Sequence, residues 1–114
     1  MTCGETATLE AAAQRGDVVV LAVKGTAAES IVGAIAPHLA GKTVIDTTNP
    51  IGDAPPQNGV IVYFTKANES LMERLQQRAP AAHFVKAWNS VGNALMVDPK
   101  LPIKEADIQK GTKG

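Results

Sequence analysis

Val18 to Val23 is an unbroken apolar run, and Lys24-Gly25-Thr26 follows it at once. Strands exposed on one face alternate apolar and polar residues; strands covered on both faces of a parallel sheet do not. The run therefore predicts a strand at Val18–Val23 inside a parallel α/β sheet, turning through Gly25 into a helix. In dinucleotide-binding folds of this kind a Gly-x-Gly-x-x-Gly turn follows an earlier strand. No such motif occurs among the 114 residues. The chain reads as the second half of a nucleotide-binding domain without the first.

The flanking segments continue the same rhythm. Thr8 to Arg15 is alanine-rich, with Thr8 placed to cap a helix and Gly16 to end it in the left-handed conformation. Thr26 with Glu29 has capping-box spacing, and Ile31, Val32, Ile35 and Leu39 form one apolar stripe. Pro37 is expected to kink or shorten the last turn, and Gly41 to close it. A second strand is predicted at Thr43–Asp46, then a proline- and glycine-rich loop from Ile51 to Gly59 and an extended segment from Val60 to Phe64. Asn68 is the expected cap of a helix reaching Arg78, with Leu71, Met72 and Leu75 facing inward. His83–Ala87 reads as a third strand and Ser90–Val97 as a short helix. Strand, helix, strand, helix, strand specifies a partial Rossmann-like parallel sheet with flanking helices. Residues 1–99 form the expected domain, and 100–114 an expected mobile, lysine-rich tail.

Composition narrows the function. Eleven lysines and arginines balance eleven aspartates and glutamates, which gives no electrostatic basis for binding nucleic acid. No apolar stretch approaches the roughly 18 residues of a membrane span, and a cytoplasmic location is the expectation. Cys3, the single cysteine, excludes an internal disulfide and a multi-cysteine metal site. His38 and His83 lack the neighbours of a triad or a metal centre. The residues support neither metal ligation nor nucleophilic catalysis.

Ligands of open α/β sheets sit beyond the carboxyl ends of the strands. Three polar segments fall at that edge: Lys24-Gly25-Thr26, Asp46-Thr47-Thr48-Asn49-Pro50, and Lys86-Ala87-Trp88-Asn89-Ser90. Gly25 admits close backbone approach, and the helix after it offers free N–H groups to an anion. Asn49 can present its amide to a nicotinamide or ribose, or serve only as turn chemistry before Pro50. Asp46 is expected to cap nearby backbone N–H groups rather than act as an acid or base. Lys86, Trp88 and Asn89 supply a cation, a stacking surface and an amide, although a tryptophan in such a place is more often core than a cofactor shelf.

The segments Asp17-Val-Val-Val-Leu-Ala-Val, Gly41-Lys-Thr-Val-Ile-Asp-Thr-Thr-Asn-Pro-Ile, Asn68-Glu-Ser-Leu and Phe84-Val-Lys-Ala-Trp-Asn-Ser-Val-Gly-Asn-Ala-Leu-Met-Val-Asp-Pro follow one another in an order and spacing that resembles the NAD(P)-binding oxidoreductases related to deazaflavin-dependent NADP reductases. The resemblance spans roughly Leu9 to Pro99. It implies a Rossmann domain that passes hydride between NADP (or NAD) and a deazaflavin or flavin-like acceptor. It also implies that Val23, Lys24 and Gly25 lie against the nicotinamide half of the cofactor, with Asn49 and Pro50 bordering the cleft. Trp88, Asn89 and Val91 would line the acceptor pocket. No residue is assigned acid–base catalysis, because the cofactors carry the reaction. The family's first strand, glycine turn and phosphate-binding arginine segment have no counterpart before Thr8. The chain is accordingly expected to be a fragment, inactive alone. The alternative expectation is a non-catalytic interaction module, pairing with a second copy or a partner chain through an exposed Val18–Val23 edge.

Overall fold

The structure, a computed structural model, describes residues 4–100. Cys3 and residues 101–114 of the expected tail lie outside the described residues. The element order is α1 (Leu9–Arg15), β1 (Val18–Leu21), α2 (Gly25–Leu39), β2 (Thr43–Asp46), α3 (Leu71–Arg78), β3 (His83–Lys86) and a 3-10 turn at Asn93–Leu95. The three strands form one parallel sheet in the order β1-β2-β3. The α/β class read from the sequence is the class observed.

Register explains what the sheet buries. Val19, Val44 and Phe84 stand side by side, as do Leu21, Asp46 and Lys86. These rows face the helices. Val44 is fully buried, and it shares one core with Leu21, Ala13 of α1, Ala28, Val32, Ile35 and Leu39 of α2, and Leu71 and Leu75 of α3. All three helices thus cover the same face, as two right-handed crossovers running in one direction require. The intervening row, Val20, Ile45 and Val85, points the other way; Val20 is 56% and Val85 49% exposed. Burial of β1 on both faces, expected from its unbroken apolar run, does not occur among the described residues. The run lacks alternation although only one of its faces is covered.

Local chemistry places most helix ends. Thr8 caps α1, its hydroxyl accepting from the Ala11 N–H at 3.2 Å. Gly16 is extended (φ −69°), not left-handed, because the chain enters β1 directly. Lys42 reaches back from β2's start to donate to the Ala13 and Gln14 carbonyls, satisfying α1's last turn. Helix α2 begins at Gly25 with Lys24 as its N-cap and no side-chain cap, so Thr26 does not fill that role. Glu29 instead faces Arg74 and Arg78. The helix runs through Pro37 to Leu39, and Gly41 (φ +73°) turns the chain into β2. Ser70, not Asn68, caps α3, in a reciprocal capping box with Glu73. Of the helix expected at Ser90–Val97, only the Asn93–Leu95 turn forms. Strand β1 ends at Leu21 rather than Val23, and the Leu21 carbonyl accepts from both the N–H and the hydroxyl of Thr47.

Between β2 and α3 the expected loop is a hairpin arm. Asn58 and Gly59 both have positive φ, and Gln57 and Val60 exchange both backbone hydrogen bonds across them. That is the geometry of a two-residue type I′ turn, for which Asn-Gly is the preferred pair. Pairing continues at Gly52 with Val62, and the Phe64 N–H donates to the Pro50 carbonyl. The arm is tied down by Arg74, whose guanidinium lies 5.6 Å from the Phe64 ring and grips Glu69 with two bonds of 2.8 and 2.6 Å.

The hydrogen bonds from Arg74 hold the Glu69 carboxyl below its ordinary value of 4.5, outweighing the opposing effect of burial. A depressed carboxyl stabilises the folded state above the unfolded pKa, and that contribution is lost as pH falls through the folded value. Replacing Arg74 with Met is therefore expected to return the Glu69 titration midpoint toward 4.5, read from its side-chain carboxyl resonance. An unchanged midpoint would remove Arg74 as the cause.

Candidate active-site cleft

At the carboxyl end of the sheet the centre of organisation is Asp46. Its side chain is 0% exposed, and an isolated carboxylate so placed would be strongly disfavoured. Oδ1 accepts from the Thr48 N–H at 2.9 Å and the Thr48 hydroxyl at 2.6 Å. Oδ2 lies 3.1 Å from the Lys86 ammonium. The N–H capping role expected of Asp46 is observed, and the ion pair with Lys86 adds to it. Sheet register brings the two together, because Asp46 and Lys86 are paired neighbours on β2 and β3.

The same cluster fixes the loop that follows β2. Lys86 donates to the Thr48 carbonyl, and the Asn89 side-chain amide donates to that carbonyl at 3.1 Å and to the Asn49 side-chain oxygen at 2.5 Å. Thr47 is anchored on Leu21. From this platform the Asn49 carbonyl meets Gly25 so closely that a Cβ built there would stand 1.8 Å from the oxygen. Position 25 can hold only glycine unless the loop or the helix moves. The start of α2 and the loop after β2 are thus in direct backbone contact.

Two adjoining recesses result, sharing Thr47 and Asn49. One, about 300 Å³, is lined by Val23, Lys24, Gly25, Thr47, Thr48, Asn49 and Ile51. The other, about 500 Å³, is lined by Thr47, Asn49, Trp88, Asn89, Val91 and Met96. Of the residues singled out in the sequence, Val23, Lys24, Gly25, Asn49, Trp88, Asn89 and Val91 meet along this cleft. Pro50 follows Asn49, its Cα 3.5 Å from where a Cβ on Gly25 would stand, and it lines a neighbouring hollow with Thr65, Ser70 and Leu71. Thr47, Thr48 and Met96 also line the cleft; in the sequence they stand only within longer segments, with no individual role. The two threonines directly precede Asn49, but their inward orientation depends on Asp46 and Leu21. Lys24 carries an exposed ion pair to Asp53 on the hairpin arm, at 2.5 Å. Exposed pairs of this kind contribute about 0–1 kcal/mol, so this one leaves Lys24 available to a ligand.

Trp88 has φ +67°, a left-handed backbone conformation that is uncommon for a bulky residue. The conformation costs on the order of 1–2 kcal/mol. The chain turns back there, bringing both Lys86 and Asn89 to the Thr48 carbonyl, and the indole is left 48% exposed over the larger recess. The cleft offers amides, a helix start with no side-chain cap, a cation and an aromatic surface. Among the described residues no group of three His, Cys, Asp or Glu side chains is arranged to hold a metal ion. Nor is any helix among them long and apolar enough to cross a membrane.

The Gly25 contact sets up a paired test. Gly25→Ala should destabilise the fold by at least the ~1–3 kcal/mol typical of overpacking. Gly33→Ala, in the open middle of α2 with nothing near the added methyl, should stabilise it by about 0.5–1 kcal/mol. Urea unfolding midpoints distinguish them; equal, small effects would contradict the close approach.

The family model of coenzyme F420-dependent NADP oxidoreductases matches residues 3–50, which include β1, α2, β2 and the loop through Asn49. No curated protein matches the chain. A 1.70 Å crystal structure from Arthrobacter sp. FB24, provisionally described as an F420-dependent NADP-reductase, superposes with a TM-score of 0.73 at 25% sequence identity. The match covers 94% of this chain and 53% of that one, so the chain spans about half the length of the protein it matches. In sequence over residues 3–50, and in fold over nearly its whole length, the chain is similar to the coenzyme F420-dependent NADP oxidoreductases, the resemblance that its strand-end motifs carry.

Proposed function

We propose that this chain supplies the nicotinamide-side wall of an NADP-dependent oxidoreductase site that exchanges hydride with a deazaflavin or flavin-like acceptor. The observation that carries the reading is the convergence of the β1–α2 turn, the loop after β2 and the segment after β3 on one cleft beyond the strand ends. That is where open α/β sheets bind their ligands. The residues fit the group. Gly25 starts α2 without a side-chain cap, and it lines the smaller recess beside Lys24. The Asn49 and Asn89 side chains stand where a carboxamide or ribose can be recognised, and Trp88 offers a stacking face.

When both partners are bound, the chemistry they supply is hydride transfer: two electrons and one hydrogen nucleus leave the dihydronicotinamide for the acceptor ring, which also takes a proton from solvent. The protein's part is to orient the rings and exclude water, and Val23, Val91 and Met96 provide apolar lining for that purpose. No side chain in the cleft is required as an acid or base. The phosphate end is different. The 114 residues contain no glycine-rich phosphate turn, so on this reading the isolated chain binds NADP weakly and is inactive by itself.

A second reading, an interaction module, draws on one specific observation. Strand β1 is the free edge of the described sheet, and its Val18 and Val20 are 55% and 56% exposed. Such an edge is a template for pairing with a second copy or a partner chain.

Titrating NADPH against Trp88 emission tests the first reading. A shift only at near-millimolar ligand, abolished by Asn49→Ala, is expected. No shift at millimolar NADPH would overturn the assignment of the cleft, and saturation in the micromolar range would overturn the claim of weak binding. Light scattering on the same samples addresses the second reading, which a monomer at every concentration contradicts.

A further inference from the structure

Three features of the segment after β3 have a common origin. Lys86 and Asn89 both donate to one acceptor, the Thr48 carbonyl. The residues between them must reverse direction for this to happen, and the reversal falls on Trp88 in the left-handed region. The Ala87 N–H donates to the Asp46 carbonyl at 3.0 Å, and the Val91 N–H to the Trp88 carbonyl at 3.2 Å, so the reversal is pinned before and after the indole. Without those anchors a tryptophan has no reason to keep a conformation favoured mainly by glycine and asparagine.

We propose that Lys86 and Asn89 are positioning residues that clamp the Thr48 carbonyl and thereby hold the Trp88 ring as a fixed stacking wall for a planar heteroaromatic ligand. The clamp joins the two recesses mechanically. Thr48 leads into Asn49, which touches Gly25 and carries the other acceptor of the Asn89 amide. A ligand ring seated on Trp88 therefore meets a wall set by the Thr48 carbonyl, one residue before the carbonyl that meets Gly25 in the β1–α2 turn. Asp46 is the base of the clamp, since its carboxylate fixes both Lys86 and Thr48. The ligand class named here rests on the reading of the cleft proposed above; the immobility of Trp88 does not.

Trp88 is the only tryptophan in the chain, so its fluorescence reports the clamp directly. Time-resolved anisotropy of the full 114-residue chain is expected to show little nanosecond motion of the indole. Asn89→Ala should increase the fast-depolarising fraction by about twofold on that timescale. Lys86→Met leaves Asp46 without its cation and threatens folding; the double variant Asp46→Asn with Lys86→Met removes both charges and is the more informative protein. It should mobilise the indole with far-UV circular dichroism unchanged, whereas Lys86→Arg should keep it fixed. An indole equally immobile in folded Asn89→Ala and in the folded double variant would overturn the proposal. The backbone conformation has its own check: Trp88→Gly should unfold at higher urea than Trp88→Ala, and the reverse order would refute the left-handed assignment. Added NADPH should raise the anisotropy of the double variant, which keeps Asn89, toward the wild-type value. If NADPH leaves all the proteins unchanged, the ligand class is overturned, while the anisotropy without ligand still decides the clamp.

Discussion

A fully buried carboxylate must be compensated or the fold will not keep it, and the arrangement at Asp46 follows from that requirement. The Lys86 ammonium and the two donors of Thr48 are its partners. Only the Asp46 side of the pair is fully buried, Lys86 keeping 36% of its side chain exposed, so removing Lys86 costs less than breaking a wholly buried pair but still leaves a buried carboxylate without its cation. Asp46 therefore enforces more than it contributes. It requires β3 to lie in register beside β2, and it requires Thr48 to turn inward immediately after the strand. Once Thr48 is inward, its carbonyl becomes the acceptor for Lys86 and Asn89, and the Asn49 carbonyl is delivered onto Gly25. The cleft lies between the parts this chain of contacts connects.

The sheet beneath is asymmetric. Its helix-covered face holds the whole core, whereas Val20, Ile45 and Val85 on the opposite face remain open or half-open. Purely parallel sheets ordinarily have both faces covered. Val18 to Val23 has the composition of such a two-sided environment, although the described residues provide only one side.

Elements whose signals are local were legible in the sequence. Thr8 caps α1, Gly41 takes its positive φ, and β2 spans Thr43–Asp46, because each depends on residues within a turn of one another. Where two local signals competed, the stronger prevailed. Ser70 with Glu73 forms a reciprocal box that Asn68 cannot, and α3 starts two residues later than Asn68 suggested. Asn58-Gly59 was present as a hairpin signal, but the prolines around it suggested only a loop. The site was legible as three polar strand ends and not as a mechanism. Asp46 and Lys86 are forty residues apart, and only sheet register makes them partners. The approach of Gly25 to Asn49 and the left-handed turn at Trp88 are likewise products of tertiary contact.

The central claim is that Asp46 holds the loop after β2 as firmly as the sheet holds the strand itself. Native-state hydrogen exchange at the Thr48 amide measures this directly, since that N–H is donated to the Asp46 carboxylate and not to the sheet ladder. The account predicts protection of the Thr48 amide equal to that of Val44 in the middle of β2, with both opening only in global unfolding. Exchange of Thr48 as fast as the amides of the exposed hairpin arm, with Val44 still protected, would contradict it.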